Sequence, residues 1–194
     1  MSELQHKLAE IKTEVINGQE IMMSPPAFVN HNHVKGNIHH IFKTYLKGNI
    51  CIPISDGTKL VLEPSKKDDY VVPDFFVICD RTKQKRDGVY GTPDLVVEVI
   101  SPSTEFYDRG IKKNLYQKSG AKEYLLIDPD KKSVEVYILR DGAYDLDAIY
   151  RIPADYEYEE DKEKAITTFS VNLFPDMIIN LEDVFEYVNV WELE

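Results

Sequence analysis

Two carboxylates stand inside apolar runs that read as buried strands: Asp74 in VVPDFFVICD, and Glu98 in GTPDLVVEVISPS. Burying an ionised Asp or Glu costs several kcal/mol unless a cation or hydrogen-bond donors compensate, so the pair points to a metal site as readily as to structural salt bridges. Alternation along DLVVEVI puts Asp94, Val96, Glu98 and Ile100 on one face and Leu95, Val97 and Val99 on the other. Four residues of strand span roughly 13 Å, too far for Asp94 to share an ion with Glu98, so Asp94 is a turn cap or a partner for Lys or Arg. The bases Arg109, Lys112, Lys113, Lys118 and Lys122 crowd one stretch with no acid between Arg109 and Ala121. Such a run by itself is more often a solvated helix face. His31 and His33 form an HxH, but no third ligand stands at a zinc-like spacing, so the histidines at 31, 33, 39 and 40 read as surface or core-lining groups, with His31 bordering a cleft.

These side chains need elements to place them. Ser2 to about Lys12 reads as a short helix, and Asn17-Gly18 between EVI and QEIMM is a strong hairpin signal. After Ser24-Pro25-Pro26, residues Val34, Ile38, Ile41, Phe42, Tyr45 and Leu46 mark one helical face, stopped by Gly48-Asn49. CIPIS and TKLVLEP read as strands joined around Asp56-Gly57, VVPDFFVICD as another, and Arg81 to Gly88 as a basic polar loop. PDLVVEVI is apolar enough for a central strand covered on both faces. A helix from about Asp108 to Lys118 follows, capped by Asp108 and closed at Gly120. EYLLID, SVEVYIL and AYDLDAIYRI suggest a meander, and SVNLFPDMIINLEDVFEYV a short strand with a closing amphipathic helix. A strand-helix-strand crossover at residues 93 to 128 inside a mostly antiparallel set predicts an α/β or α+β sandwich.

The bulk numbers bound the reading. The 194 residues suit one domain, and 43% hydrophobic with 29% charged residues is ordinary for a soluble globular protein. No apolar run approaches the roughly 20 residues of a membrane span, and MSELQHKLAEIK lacks the apolar centre of a secretory signal, so a cytoplasmic protein without a membrane partner is expected. Cys51 and Cys79 form no CxxC and are expected as small buried hydrophobes. The net charge of −11 opposes nucleic acid binding, yet residues 141 to 194 hold 15 acids and 3 bases, a net −12, leaving residues 1 to 140 at +1. Tyr150, Tyr156 and Tyr158 of that acidic segment suit packing or oligomer contact better than base stacking.

The spacing of Asp74 and Glu98 is similar to a nuclease signature in which Pro-Asp precedes an acid-x-Lys tripeptide, but here the tripeptide is Glu98-Val99-Ile100. Isoleucine cannot orient a water. The helix near Asp108 returns directly from this strand, and Lys112 could bring an ammonium back toward Glu98 on its four-carbon stem. PDLVVEVISPSTEFYDRGIKKNLYQKSGAKEYLLIDPDKKSVEVYIL, with EVINGQEIMMSPP, VVPDFFVICD and FPDMIINLEDVF, resembles the Uma-two family of restriction-endonuclease-like proteins, a branch of the PD-(D/E)XK nuclease superfamily. The likeness covers about residues 10 to 187; Leu125 departs from it where relatives tend to carry tryptophan.

The resemblance implies a restriction-endonuclease-like mixed sheet flanked by helices, and Mg2+-assisted hydrolysis of DNA phosphodiester bonds. Asp74, Glu98 and the Val99 carbonyl would hold Mg2+ or Mn2+, ions that favour oxygen ligands. Lys112, or the adjacent Lys113, would orient the attacking water. Accessory candidates are Glu14 or Glu20, matching the family's early glutamate, and His31, matching its helix histidine. Cutting both strands of a duplex favours a homodimer or higher homo-oligomer. Two other classes stay open: a catalytically inactive nuclease-fold binding or assembly protein, and a hydrolase of small phosphoesters.

Overall fold

The structure is a computed structural model that describes residues 13–22, 28–55, 57–153 and 165–189. Asn17 (φ 54°) and Gly18 (φ 73°) take the left-handed conformations of a tight hairpin turn and join β1 (Thr13–Ile16) to β2 (Gln19–Met22), as expected from Asn-Gly. The helix foreseen from its apolar stripe is α1 (Val29–Tyr45), which buries Val34, Ile38 and Phe42. The helix expected over Ser2 to Lys12, the Ser24-Pro25-Pro26 segment, Asp56, Tyr156 and Tyr158 lie outside the described residues.

The main sheet has six strands in the order β11-β10-β9-β8-β5-β3. They are β3 (Ile52–Ser55), β5 (Phe75–Ile78), β8 (Leu95–Val99), β9 (Glu123–Asp128), β10 (Ser133–Arg140) and β11 (Ala143–Arg151). Only β8 and β9 run parallel, because a helical crossover joins them; the other neighbours are antiparallel. The expected meander is β9-β10-β11, with Asp141 (φ 50°) and Gly142 (φ 83°) making its second turn.

Alternation decides which core each strand serves. Leu95, Val97 and Val99 join Phe75 and Val77 under α1, whereas Val96 and Ile100 join Phe76, Ile78, Tyr116 and Tyr124 under the crossover helix. Glu98 and Asp74 share the parity of the second set. Leu125 is fully buried in the α1-side core. Tyr150 packs there too, stacked on Phe169 with ring centroids 5.2 Å apart.

Four local readings need correction. The polar stretch from Arg81 is no open loop: Asp80 caps a 3-10 turn, and β6 (Gln84–Lys85) pairs with β7 (Gly88–Tyr90), which also pairs with β4 (Leu60–Val61). Gly88 makes this possible, because a Cβ there would stand 2.5 Å from the Lys59 carbonyl oxygen. Consequently β3 and β4, though consecutive, belong to different sheets. The final third forms a hairpin of β12 (Thr168–Val171) and β13 (Phe174–Asn180), followed by only one helical turn, α3 (Leu181–Val184). The cysteines are not separate buried hydrophobes. Because Ile52 pairs with Ile78, Cys51 and Cys79 fall opposite each other one step further on and form a disulfide.

The crossover helix also differs from expectation. It runs as a π-helical segment (Tyr107–Lys112) into α2 (Lys113–Ser119), closed by Gly120 at φ 87°. Asp108 makes no cap there; it lies inside the segment, buried. Among the described residues no helix is long and apolar enough to cross a membrane.

Candidate active site

The register of β5 and β8 builds the site. Phe75 pairs with Val97, so Asp74 and Glu98 face each other at the end of the ladder. The Asp74 N–H donates to Glu98 Oε2 (3.3 Å), and the Val99 N–H donates to Asp74 Oδ2 (3.0 Å). The first turns of α1 reach the same point: His31 Nε2 is 3.2 Å from Asp74 Oδ2, and Lys35 Nζ is 4.0 Å from Asp74 Oδ1. From the opposite face the crossover helix inserts Lys112, whose side chain is 2% exposed. Its Nζ stands 3.3 Å from Glu98 Oε1, 3.3 Å from Glu14 Oε1 and 3.4 Å from Asp108 Oδ1. Glu14 comes from β1, anchored where its Oε1 accepts the Val72 N–H at 2.8 Å. The Tyr116 hydroxyl donates to Glu98 Oε1 at 2.7 Å.

Four buried carboxylates thus surround one buried ammonium. Burial alone would lower the Lys112 pKa, but Glu98, Glu14 and Asp108 hold it well above its ordinary value, so it stays charged. Burial is the main cause that pushes Glu98 up to about 8; Lys112 opposes it, while Asp108, Asp74 and Glu14 add to it. Burial likewise raises Asp108, against the pull of Lys112. Committed charge-assisted hydrogen bonds run at about 2.7–2.9 Å. The Lys112 contacts are all longer, so its charge is shared among three acids rather than given to one.

The other sequence candidates are elsewhere. Glu20 is exposed on β2. Lys113 turns away, its Nζ over the Tyr137 ring at 3.5 Å. Asp94 sits at the far end of β8, where its Oδ2 accepts the Cys79 N–H (2.8 Å) and its Oδ1 meets Lys122 (3.1 Å). Arg109 pairs with Glu105 and Glu135 outside the cluster. Sequence reasoning missed Asp108, Tyr116 and Lys35 as neighbours of the site. The signal was spacing: Asp108, Lys112 and Tyr116 recur every four residues, as do His31 and Lys35, which places each set on one helical face.

With this geometry in view, comparison with known proteins decides the lineage. The Uma2 family model, described as "Putative restriction endonuclease", matches residues 2–165. This chain belongs to the Uma2 family. A relative in sequence is the uncharacterized protein slr1290 of Synechocystis sp., 34% identical over 127 residues, a match spanning 65% of each chain. In structure the chain is similar to a crystal structure described as a putative nuclease belonging to DUF820 from Anabaena variabilis. That likeness has a TM-score of 0.68 at 19% identity and covers 97% of this chain and 100% of the other. The architecture of this Uma2 chain is therefore the restriction-endonuclease-like α+β fold, a mixed sheet flanked by helices.

The residues present fit a hard divalent cation. Asp74, Glu98, Glu14 and Asp108 offer carboxylate oxygens, these buried acids outnumber the buried Lys112 ammonium, and buried Glu14 Oε2 has no hydrogen-bond partner. Among the described residues no three His, Cys, Asp or Glu side chains are arranged to hold a metal by themselves. The facing carboxylates of Asp74 and Glu98 are a donor set of the kind Mg2+ takes, since this ion keeps several waters and uses one or two carboxylates.

Proposed function

We propose that this Uma2 protein is an Mg2+-dependent endonuclease hydrolysing DNA phosphodiester bonds. The observation that carries the reading is the convergence on Glu98 of two elements: the Asp74 N–H from the adjacent strand at 3.3 Å from Oε2, and Lys112 Nζ from the crossover helix at 3.3 Å from Oε1. Asp74 and Glu98, with the Val99 carbonyl, hold the cation; Mn2+ can replace Mg2+. Bound there, the ion supplies Lewis acidity to the scissile phosphate and lowers the pKa of a bound water. Lys112 keeps a permanent positive charge beside Glu98 and, bound tightly to no single acid, can turn an N–H to orient the attacking water. His31 and Lys35 steady Asp74 from the α1 side. The reading takes residues 1–194 as one domain acting as a homodimer, since two strands need two cuts.

The test is cleavage of plasmid and duplex oligonucleotides with Mg2+ or Mn2+ by wild type, Asp74→Asn and Glu98→Gln. Wild type is expected to cut, EDTA to stop it, and each variant to lose at least about 100-fold, consistent with loss of a metal ligand. Variants that cut like wild type would refute the assignment. A second reading has its own support: Tyr116 and Lys112 already engage Glu98 Oε1, and His31 and Val99 engage Asp74 Oδ2. Carboxylates already engaged in this way suit a nuclease-fold assembly protein that no longer cuts. Absence of both Mn2+ binding and cleavage would favour it, whereas turnover of bis(p-nitrophenyl) phosphate without DNA cleavage would favour a small-phosphoester hydrolase.

A further inference from the structure

We infer that Tyr116 is the positioning residue that sorts the two oxygens of Glu98, fixing Oε1 so that Oε2 is presented toward Asp74 and the cation. The inference rests on the metal-dependent reading above and deepens it. Glu98 Oε1 has two neighbours, the Tyr116 hydroxyl at 2.7 Å and Lys112 Nζ at 3.3 Å. The shorter contact is the tyrosine's, so the hydroxyl rather than the ammonium sets the carboxylate plane. Glu98 Oε2 meanwhile lies on the Asp74 side, accepting the Asp74 N–H.

Tyr116 is well placed to impose that orientation. It is fully buried, with its ring centroid 5.5 Å from that of Tyr124. Its backbone carbonyl accepts from Ser119 Oγ (2.8 Å) and from the Ala121 N–H (3.1 Å), which pins the residue at the C-terminal end of α2. A ligand carboxylate held by a rigid neighbour loses little freedom on binding an ion, and removing such a partner typically costs 10–100-fold in metal affinity. Tyr124 provides an internal control. It is equally buried in the same core, but its hydroxyl donates to the Asp108 backbone carbonyl (3.0 Å), not to Glu98.

The experiment is Mn2+ titration by calorimetry of wild type, Tyr116→Phe and Tyr124→Phe, with thermal unfolding of each protein without ion and Mg2+-dependent cleavage alongside. Tyr116→Phe should weaken Mn2+ about 10–100-fold and raise the Mg2+ concentration needed for half-maximal cleavage, with the rate at saturating ion largely restored. Tyr124→Phe should lower the melting temperature as much or more while binding Mn2+ like wild type. Wild-type affinity in Tyr116→Phe, or equal weakening in Tyr124→Phe, overturns the inference and leaves the nuclease reading standing. A wild-type protein that binds no Mn2+ overturns both. Should Tyr116→Phe fail to fold, 3-fluorotyrosine at position 116 keeps the hydroxyl: its 19F resonance should move as Mg2+ is added, and an unmoved resonance counts against the role.

Discussion

Replacing Lys112 by methionine preserves much of the side-chain volume and removes one buried charge from a cluster of four carboxylates. Lys112 is held well above its ordinary value of 10.5, so its stabilising protonation is complete below that value and is lost only as pH rises through the higher folded-state value. Across pH 6 to 9 the substitution therefore forfeits the whole contribution. Removing one partner of a buried ion pair costs about 3–5 kcal/mol. With about 2.1 cal/mol/K of unfolding entropy per residue over 194 residues, the melting temperature should fall by roughly 7–12 °C. The deficit should also grow with pH. Without Lys112, Glu98 and Asp108 keep their protons to higher pH in the folded state, and each proton retained there but released on unfolding steepens the decline by about 1.4 kcal/mol per pH unit. Urea unfolding of wild type and Lys112→Met at pH 6 and pH 9, without divalent ions, measures both quantities. A variant as stable as wild type at pH 9, or a deficit that shrinks between the two pH values, would refute the charge cluster as described.

Two further outcomes follow from the burial of Glu98 and from the Cys51–Cys79 bridge. Because burial and three neighbouring acids lift Glu98 from 4.5 to about 8, the proton it carries favours the folded state: that stabilisation is full below about pH 4.5 and is lost as pH rises through about 8. Thermal unfolding of the ion-free protein should thus show declining stability from pH 6 to 9, flattened by Glu98→Gln, with Mn2+ affinity rising over the same window as the ligand loses its proton; a wild-type profile already flat would contradict the burial of Glu98. The Cys51–Cys79 bridge closes a loop of sequence separation 28, which in the chain-entropy estimate is worth about 3–4 kcal/mol. Thiol titration of the denatured, unreduced protein should find no free thiol from this pair, and dithiothreitol should lower the melting temperature by several degrees; two titratable thiols in the untreated protein would count against the bridge.

What the sequence revealed tracks the range of the interaction involved. Period-two alternation in DLVVEVI identified the face of Glu98, and the Asn17-Gly18 pair marked its turn, because those signals act over a few residues. The helix after Glu98 was legible, and so was the chance that Lys112 returned to it. Choosing Lys112 over Lys113 was not, since that depends on the rotation of the π-helical segment against the sheet. Asp108 was misread as a cap because Asp before a helix usually is one; here tertiary burial beside Lys112 outweighs that local preference. Glu14 and Glu20 could not be separated until the bridge between Val15 and Tyr70 placed β1 beside the strand region leading to Asp74. The disulfide escaped for the same reason: it follows from the register of β3 on β5, and no local pattern near either cysteine encodes that register.

The lysine's position on a crossover helix, rather than two residues along the strand, changes when the site comes into being. In a tripeptide arrangement, pairing two strands would bring both acids and the ammonium together. Here β5 and β8 can be fully hydrogen-bonded, each carboxylate taking a backbone N–H from the other strand, while Glu98 still lacks the Lys112 ammonium beside it. Only when the helix docks, closing the long-range contact between β8 and β9, does the Lys112 charge reach Glu98. Assembly of the chemistry and completion of the tertiary fold are therefore one cooperative event, and a half-formed chain carries no half-working site.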